Sequence, residues 1–262
     1  MPTLEDNKRF WSDEYDWETL GNEWSADWGG PDMQWYGTLL PRIHAFVPTG
    51  TILEIACGCG RWTRYLQGLC TRLIAVDLSE RCIRICRQRF RDLSHVEFHL
   101  NDGTSLAAVS APLDFVFSFD SLVHADIDVI EAYLSQLAGL LRRDGVVFLH
   151  HSNLGEYARL PGFETLFSRL GFLERRLHGR DFSVDAAKVA AVAQEHGLQC
   201  ISQEIVGAGG LMIDCLSVLV RRDSPRAREN RIFRNTGFTR EKRNLRRLAR
   251  LYAFRQDDEK QH

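Results

Sequence analysis

The sequence is poor in several features that would restrict its function. It has no run of about eighteen apolar residues, so no segment is predicted to span a membrane. The N-terminal residues lack the basic-then-apolar layout of a secretory signal peptide. The net charge of −2 and the pI near 6.5 provide no overall basic field, which argues against a nucleic-acid partner.

Cysteines are present but lack the spacing of a disulfide framework or a metal site. The chain has seven, an odd number, and none belongs to a C-x-x-C pair. Reduced thiols in a cytoplasmic protein explain this pattern best. We therefore expect a cytoplasmic protein without a cysteine-bound metal.

Three regions of different composition divide the 262 residues. Residues 1–48 hold five of the six tryptophans and are predicted to form an aromatic-rich cover. Residues 49–222 suit one α/β domain. Residues 223–262 form a basic tail: residues 221–255 contain thirteen Lys or Arg against three acids. A helix predicted over 239–254 is interpreted as a clamp for an anionic substrate or partner, or as a surface helix that docks by its leucines, with a homo-oligomer interface left open.

Apolar runs and helical periodicities alternate through the central region. The predicted strands are 51–56, 72–77, 96–100, 113–119, 146–151, 199–206 and 213–220, with helices between most of them. Such alternation predicts a doubly wound, mainly parallel Rossmann-like α/β sheet. The last two strands have no helix between them, so the seventh is expected to be antiparallel.

The turn after the first predicted strand is the most informative segment. An apolar run containing Glu54 leads into small residues at alternate positions, Ala56, Gly58 and Gly60. Glycine permits positive φ and close approach of a ligand to the backbone. The next predicted strand ends in Asp77. A glycine-rich turn followed by such an acid is how Rossmann-like sheets hold a nucleoside.

The spacing of the small residues favours one nucleoside over another. A dinucleotide site prefers G-x-G-x-x-G, whereas this turn resembles motif I of the class I S-adenosylmethionine-dependent methyltransferases, E/D-x-G-x-G-x-G, with Ala56 in place of the first glycine. The resemblance covers roughly residues 50–222. It implies a methyltransferase with S-adenosylmethionine as the cofactor.

The resemblance also assigns roles to single residues. Glu54 would orient the turn and the cofactor's amino group, Asp77 would accept both ribose hydroxyls, and Asp102 would accept from the adenine amine beside Gly103. A turn-forming role for the Asn-Asp-Gly segment is the alternative for Asp102. The remaining residues expected at the cofactor are Ala56, Cys57, Gly58, Gly60, Arg61, Leu78, Phe119 and Asp120, with Trp35 and Tyr36 as cleft contacts.

Histidines follow two of the later strands, where a catalytic base would be needed. His124 lies after the fourth predicted strand, and His150 and His151 end the fifth. Because a hydroxyl acceptor must lose its proton, these three residues and Asp120 are the catalytic candidates. Neighbouring strand residues point to opposite faces, so one of His150 and His151 is the better candidate. The other would be a core histidine.

The predicted function is O-methylation of a small molecule or a sugar or glycan unit. N- or C-methylation of a secondary metabolite, and a non-catalytic cofactor-binding partner protein, are the alternatives. A metal-assisted variant would use Asp120, Asp126 and Asp128, although the last two lie where helix caps are expected. The N-directed nucleic-acid signature, Asn/Asp-Pro-Pro-Tyr/Phe, is absent after the fourth strand, which argues against base methylation.

Overall fold

A computed structural model describes residues 3–160, 162, 179–208 and 211–253 of the chain. Within these residues, eight strands form one sheet in the order β3-β2-β1-β4-β5-β7-β6-β8. The strands are β1 (Thr49–Ile55), β2 (Cys70–Asp77), β3 (Val96–Leu100), β4 (Leu113–Ser118), β5 (Leu141–Ser152), β6 (Leu198–Ala208), β7 (Leu211–Arg221) and β8 (Arg231–Asn235).

Strand directions follow the predicted Rossmann-like pattern at one side of the sheet and depart from it at the other. Strands β1 to β5 are parallel, and β7 is antiparallel to both β5 and β6. The expected total of seven strands is wrong, because β8 adds an eighth by pairing in parallel with β6. This strand comes from the basic tail, for which only a helix was predicted.

Short and long helices connect and flank the strands. They are α1 (Leu4–Arg9), α2 (Pro31–Gln34), α3 (Leu40–Ile43), α4 (Thr63–Leu66), α5 (Glu80–Arg89), α6 (Ile127–Leu140), α7 (Gly155–Ala158), α8 (Ala186–Glu195) and α9 (Phe238–Tyr252). Side chains of Ser79, Asp126 and Asp185 cap α5, α6 and α8 by accepting bonds from backbone N–H groups. Asp126 is therefore a cap, which was the alternative to metal binding.

The core lies on both faces of the sheet. One apolar cluster packs α6 and α8 against the sheet through residues such as Ile130, Leu134 and Val189. A second cluster joins Trp35 and Leu39 to Phe115 and Phe117 on the opposite face. Strand β4 is buried at five of its six positions because both of its faces are covered.

Residues 3–44 include several short helical segments. The segments up to Trp24 lie near the residues that follow β1, β2 and β4, whereas the segment from Trp35 packs on a face of the sheet. The part with Trp11, Tyr15, Trp17 and Trp24 packs its rings edge-on or tilted, with centroids 4.9–6.1 Å apart. Helix α9 packs against the segment Asn22–Trp28 and against α2. The N-terminal segment and the tail therefore meet on the same side of the domain.

Candidate active site

The turn after β1 follows the predicted backbone path. Gly58 and Gly60 have φ values of 54° and 82°, and Ala56 has φ 57°. A Cβ on Gly60 would lie 2.6 Å from Cε2 of Phe90, so the turn is packed tightly from below. Because a non-glycine residue in this left-handed region is strained, Ala56 destabilises the turn by about 1–2 kcal/mol.

Asp77 ties the end of β2 to this turn. Its Oδ2 accepts the Gly58 N–H at 2.7 Å, and its Oδ1 accepts the Ser79 N–H at 2.8 Å. Each oxygen keeps a second lone pair, and the carboxylate lies at the wall of a cavity. Burial raises the pKa of Asp77 to about 6. A ligand that donates two hydrogen bonds would stabilise its charged form.

This first cavity encloses about 920 Å³, including its open mouth. The turn, the end of β2 and the residues after β4 line one side, and the N-terminal aromatic rings line the other. Nine of the predicted cofactor residues are found in its wall: Ala56, Cys57, Gly58, Arg61, Asp77, Leu78, Gly103, Phe119 and Asp120.

Glu54 and Gly60 lie beneath the turn rather than at the cavity wall. Oε2 of Glu54 accepts the Thr63 hydroxyl at 2.5 Å, and the side chain is 1% exposed. Burial raises the pKa of Glu54 to about 8. Its observed role is to hold the start of α4 against β1, and the contact with a cofactor amino group stays a prediction.

A second cavity, of about 2380 Å³ including its open mouth, adjoins the first. Both walls contain Trp11, Trp24, Phe119, Asp120 and His124. The second wall also contains His150, Arg180 and Asp214, and the first turn of α9 contributes Phe238, Thr239 and Lys242. The shared residues mark the place where ligands in the two cavities would meet.

Three side chains form a continuous polar group at this junction. Nδ1 of His150 accepts the Asp120 N–H at 3.1 Å and lies 3.3 Å from the Asp120 Oδ1. Nε2 of the same ring lies 3.6 Å from Oδ2 of Asp214. The ring stacks on Phe119 with centroids 4.4 Å apart. His150 is thereby held between two carboxylates by strands β4, β5 and β7.

Two arginines complete the group from opposite sides. Arg61 donates to Oδ2 of Asp120 at 2.7 Å and stacks on Trp62 at 4.4 Å. Arg180 donates from both Nε and Nη2 to Asp214, at 2.5 and 2.8 Å. Such charge-assisted and bidentate bonds are among the stronger polar contacts in proteins.

The charges set the protonation of the group. Burial acts to raise the pKa of Asp120, but Arg61 and His150 outweigh it and lower that pKa to about 2. Burial also opposes ionisation of Asp214, yet Arg180 and His150 hold its pKa well below the ordinary value. For His150, burial acts to lower the pKa, and the neighbouring carboxylates of Asp120 and Asp214 raise it above 6.5. The two carboxylates are ionised at neutral pH.

The three histidines predicted as catalytic candidates lie in different surroundings. His151 is fully buried and does not face either cavity: Nδ1 lies 2.8 Å from the Ser152 carbonyl and Nε2 lies 2.8 Å from the Ser217 hydroxyl. Burial lowers its pKa to about 4. The assignment of His151 as a catalytic candidate is therefore corrected to a core histidine. His124 lines both cavities, and its ring lies 5.4 Å from that of Trp11.

The expected cleft contacts of Trp35 and Tyr36 are also corrected. Trp35 is 2% exposed and stacks on Tyr65 at 4.8 Å, inside the core cluster. Tyr36 is 63% exposed and belongs to the lining of neither cavity. The cover does contact the first cavity, but through Trp11, Trp17 and Trp24, which lie earlier in the chain.

Asp102 takes the turn-forming role that was its alternative. Its Oδ1 accepts the N–H groups of Thr104 and Ser105 and the Thr104 hydroxyl, at 2.7–2.9 Å. Gly103, and not Asp102, lies at the cavity wall. The adenine contact predicted for Asp102 is thus not part of this arrangement.

Sequence reasoning missed Asp214 and Arg180. Asp214 stands among apolar residues in β7, and a charged residue inside a buried strand is a signal that was available. Arg180 had no such signal. Residues 153–183 were expected to lie above the strand ends, and most of the stretch between 161 and 178 falls outside the described residues.

The described part of the chain has neither a cluster of metal ligands nor a membrane-spanning helix. No group of three or more His, Cys, Asp or Glu side chains there is arranged to hold a metal ion. No helix there is long and apolar enough to cross a membrane.

Comparisons with known proteins identify a methyltransferase domain in the chain. A family model described as a methyltransferase domain matches residues 52–145. Nodulation protein S of Sinorhizobium fredii is 25% identical over 169 residues, which are 62% of this chain and 78% of that protein.

Two solved structures share the fold. The N-methyltransferase NodS from Bradyrhizobium japonicum WM9, in complex with S-adenosyl-L-homocysteine, superposes with a TM-score of 0.56 at 19% identity and covers 84% of this chain and 99% of that one. The DhpI structure, also an S-adenosylhomocysteine complex, has a TM-score of 0.55 at 21% identity over 86% of this chain and 98% of that one. The chain thus contains a methyltransferase domain over residues 52–145 and resembles the class I S-adenosylmethionine-dependent methyltransferases.

Proposed function

We propose that this enzyme methylates a hydroxyl of a small molecule or a sugar unit, with the cofactor in the first cavity and the acceptor in the second. The observation that carries the proposal is the position of Asp120. It lies in the walls of both cavities and contacts His150, so a base stands where cofactor and acceptor would meet.

The first cavity fits S-adenosylmethionine by the chemistry of its donors and acceptors. The buried Asp77 carboxylate has two lone pairs left for ribose hydroxyls, and Gly58 and Gly103 expose backbone without a Cβ. The Trp11, Trp17 and Trp24 rings supply an apolar and cation-attracting wall. The bound cofactor supplies a methyl group already activated by its positive sulfur.

The residues of the second cavity supply the proton transfer. The ionised Asp120 accepts a hydrogen bond from the acceptor hydroxyl and orients its oxygen. As the oxygen–methyl bond forms and the methyl–sulfur bond breaks to release S-adenosylhomocysteine, Nδ1 of His150 would take up the hydroxyl proton. To do so, Nδ1 would give up the Asp120 N–H that it accepts in the resting site, and the new N–H would face Asp120 Oδ1, 3.3 Å away. Asp214 and Asp120 then stabilise the imidazolium from both sides. A positioned base of this kind accelerates transfer by roughly 10²–10⁴-fold.

The walls of the second cavity support a polar, uncharged acceptor. Its inner carboxylates are neutralised by arginines, and Lys242 donates to Asp27 at 2.8 Å. The aromatic side chains Trp24, Trp28 and Phe238 offer flat apolar surfaces beside these polar groups. A sugar combines apolar faces with hydroxyl edges and matches such a wall.

An amine acceptor is the second candidate. The relative NodS is an N-methyltransferase by its name. The two ionised carboxylates, Asp120 and Asp214, would bind an ammonium group, and His150 would then accept its proton. A neutral amine needs less help from a base, so loss of His150 would lower turnover less than with a hydroxyl acceptor.

The test compares His150→Gln with the exposed, remote His44→Gln. S-adenosylhomocysteine release is measured with a panel of sugars, polyols and amines, and cofactor affinity is measured by calorimetry. We expect His150→Gln to lower turnover roughly 10²–10⁴-fold with cofactor affinity unchanged, and His44→Gln to have no effect. Product NMR distinguishes a methyl ether from a methylamine.

Two results would contradict the proposal. Full turnover in His150→Gln would show that His150 is not the base. Exclusive methylation of amines would show that the acceptor is an amine and not a hydroxyl. Tight cofactor binding without release on any acceptor would favour a non-catalytic binding protein.

A further inference from the structure

Helix α9 carries far more positive charge than the rest of the surface. Its fifteen residues include six Lys or Arg and one Glu. One face docks on the domain: Leu245 packs against Gly37, Ala249 packs against Gly29, and Lys242 lies 5.0 Å above the Trp28 ring. The single acid, Glu241, is paired with Arg42.

Apolar side chains continue outside this docked face. Leu248, Leu251 and Tyr252 are 47%, 72% and 76% exposed. Their i, i+3, i+4 spacing places them on one side of the last helical turns. Such a group of large apolar side chains in water is unfavourable, so their exposure calls for a partner surface.

A row of arginines runs beside the apolar group. Arg240, Arg243, Arg247 and Arg250 are all exposed and recur at intervals of three and four residues, which aligns them along the helix. None of the four forms an ion pair with a carboxylate in the described part of the chain. Their charges are therefore available to a partner.

The strand before the helix has the same character. In β8, Ile232 and Phe233 are 59% and 60% exposed, and Arg231 lies next to them. Only two residues separate β8 from α9. Exposed apolar and basic residues thus recur through the described part of the tail.

We propose that this surface, defined by Arg240, Arg243, Arg247, Arg250, Leu248, Leu251 and Tyr252, binds the anionic lipid headgroups of a membrane. Guanidinium groups beside large apolar side chains match an interface in which phosphates lie next to hydrocarbon. An RNA backbone would use the arginines but leave the leucines in water. A second copy of the chain would bring two rows of like charge together.

The inference is independent of the acceptor, since none of these seven residues lines either cavity. The membrane contact would be peripheral, with the helix lying along the surface. Binding should depend on both halves of the surface, because the charges attract the protein and the apolar side chains insert.

The experiment is flotation of the purified protein with vesicles of phosphatidylcholine, alone or with about 30% phosphatidylglycerol, at about 100 mM salt. We expect binding to the anionic vesicles alone, weakening as salt is raised. Arg243→Gln with Arg247→Gln should lower the partition coefficient roughly 20-fold. Leu248→Ser with Leu251→Ser should lower it at least tenfold.

The matched control removes two other exposed arginines, Arg84→Gln with Arg91→Gln, on and beside α5. This variant has the same net charge as the first and should keep most of the binding. All variants change exposed side chains, so circular dichroism and turnover should stay at the wild-type level.

Three results would overturn the inference. The first is no flotation with anionic vesicles, and the second is an equal loss in the control variant, which would indicate a non-specific charge effect. The third is a different partner for the same residues. Salt-dependent binding to single-stranded RNA without flotation would assign the surface to RNA, and sedimentation showing a dimer that Leu251→Ser dissociates would assign it to a second copy.

Discussion

The two cavities of this enzyme are built in different ways. The first has one part of its wall from a short stretch of chain, the turn after β1 and the end of β2, and the residues after β4 and the N-terminal segment complete it. The second is assembled from residues between Asp6 and Lys242, on β5, β7, α9 and the N-terminal segment. A site made from one supersecondary unit leaves a pattern in the sequence, whereas a site assembled from distant segments does not.

The two cavities also differ in the way they manage charge. Burial disfavours the charged form of Asp77, and no cationic side chain in the described part of the chain compensates for it. Hydrogen bonds donated by a ligand would therefore stabilise this carboxylate. Asp120 and Asp214 already have arginine partners before any acceptor arrives. Single substitutions in the first cavity are therefore expected to change cofactor affinity. Single substitutions in the second cavity are expected to change turnover and its pH dependence.

The largest effect is expected at the acid of the cofactor cavity. Asp77→Ala would remove the two charge-assisted bonds proposed to the ribose and should weaken S-adenosylmethionine binding roughly 10²–10⁴-fold by calorimetry. Asp102→Ala is the matched control and should change affinity less than about threefold. A large loss of cofactor affinity in Asp102→Ala would instead support the adenine contact predicted from the sequence.

Glu54 offers a test of burial beneath the same turn. Its pKa is 4.5 in the unfolded chain and about 8 in the folded one, so its contribution to stability is complete below pH 4.5 and is lost as pH rises towards 8. From about pH 6 to about pH 7.5 this group should lower the free energy of unfolding by about 2 kcal/mol. Urea unfolding of Glu54→Gln should lack this loss. If the free energy of unfolding depends on pH in the same way in the wild type and in Glu54→Gln, the Glu54 carboxyl is not protonated in the folded protein.

In the acceptor cavity the expected effect lies in the pH profile. Asp214→Asn removes one of the two carboxylates that raise the pKa of His150. The base must be neutral to accept a proton, so turnover rises with pH through the pKa of His150. The variant should shift this rise to lower pH and reduce the plateau roughly tenfold, because the weaker base takes up the proton less readily. Cofactor affinity should not change. If the pH profile of turnover is not shifted, Asp214 does not influence the base.

The smallest effect is expected at Ala56. Replacing it by glycine relieves its left-handed backbone but adds freedom to the unfolded chain, so the net gain should be less than about 1 kcal/mol. The same change at Ala75, which is buried in β2, should destabilise the protein. Thermal unfolding of both variants without cofactor measures the difference. Destabilisation by Ala56→Gly would show that the methyl contact outweighs the strain.

The local pattern of apolar residues predicted most strands of the sheet correctly, but it failed for the edge strand β8 and for one of the connecting helices. Strand β3 (Val96–Leu100) has both predicted ends, and β2 ends at Asp77 as predicted but begins two residues earlier, at Cys70, because alternation of apolar runs with turns is a local property. A single helix was expected from Arg61 to Leu69, and the structure has only α4 and a short 3₁₀ turn there. Strand β8 was missed because its exposed residues pair with β6 and lack an apolar pattern.

The sequence by itself determined the class of fold, the turn that receives a nucleoside and the acid that would bind its sugar, since these depend on residues within one strand-turn-helix-strand unit. Only the tertiary structure decided which histidine faces the acceptor cavity, because β5 has to pair with β7 before His150 lies between Asp120 and Asp214. It also decided which tryptophans cover the cofactor cavity. Packing directions of distant segments arise from the whole core and not from local spacing.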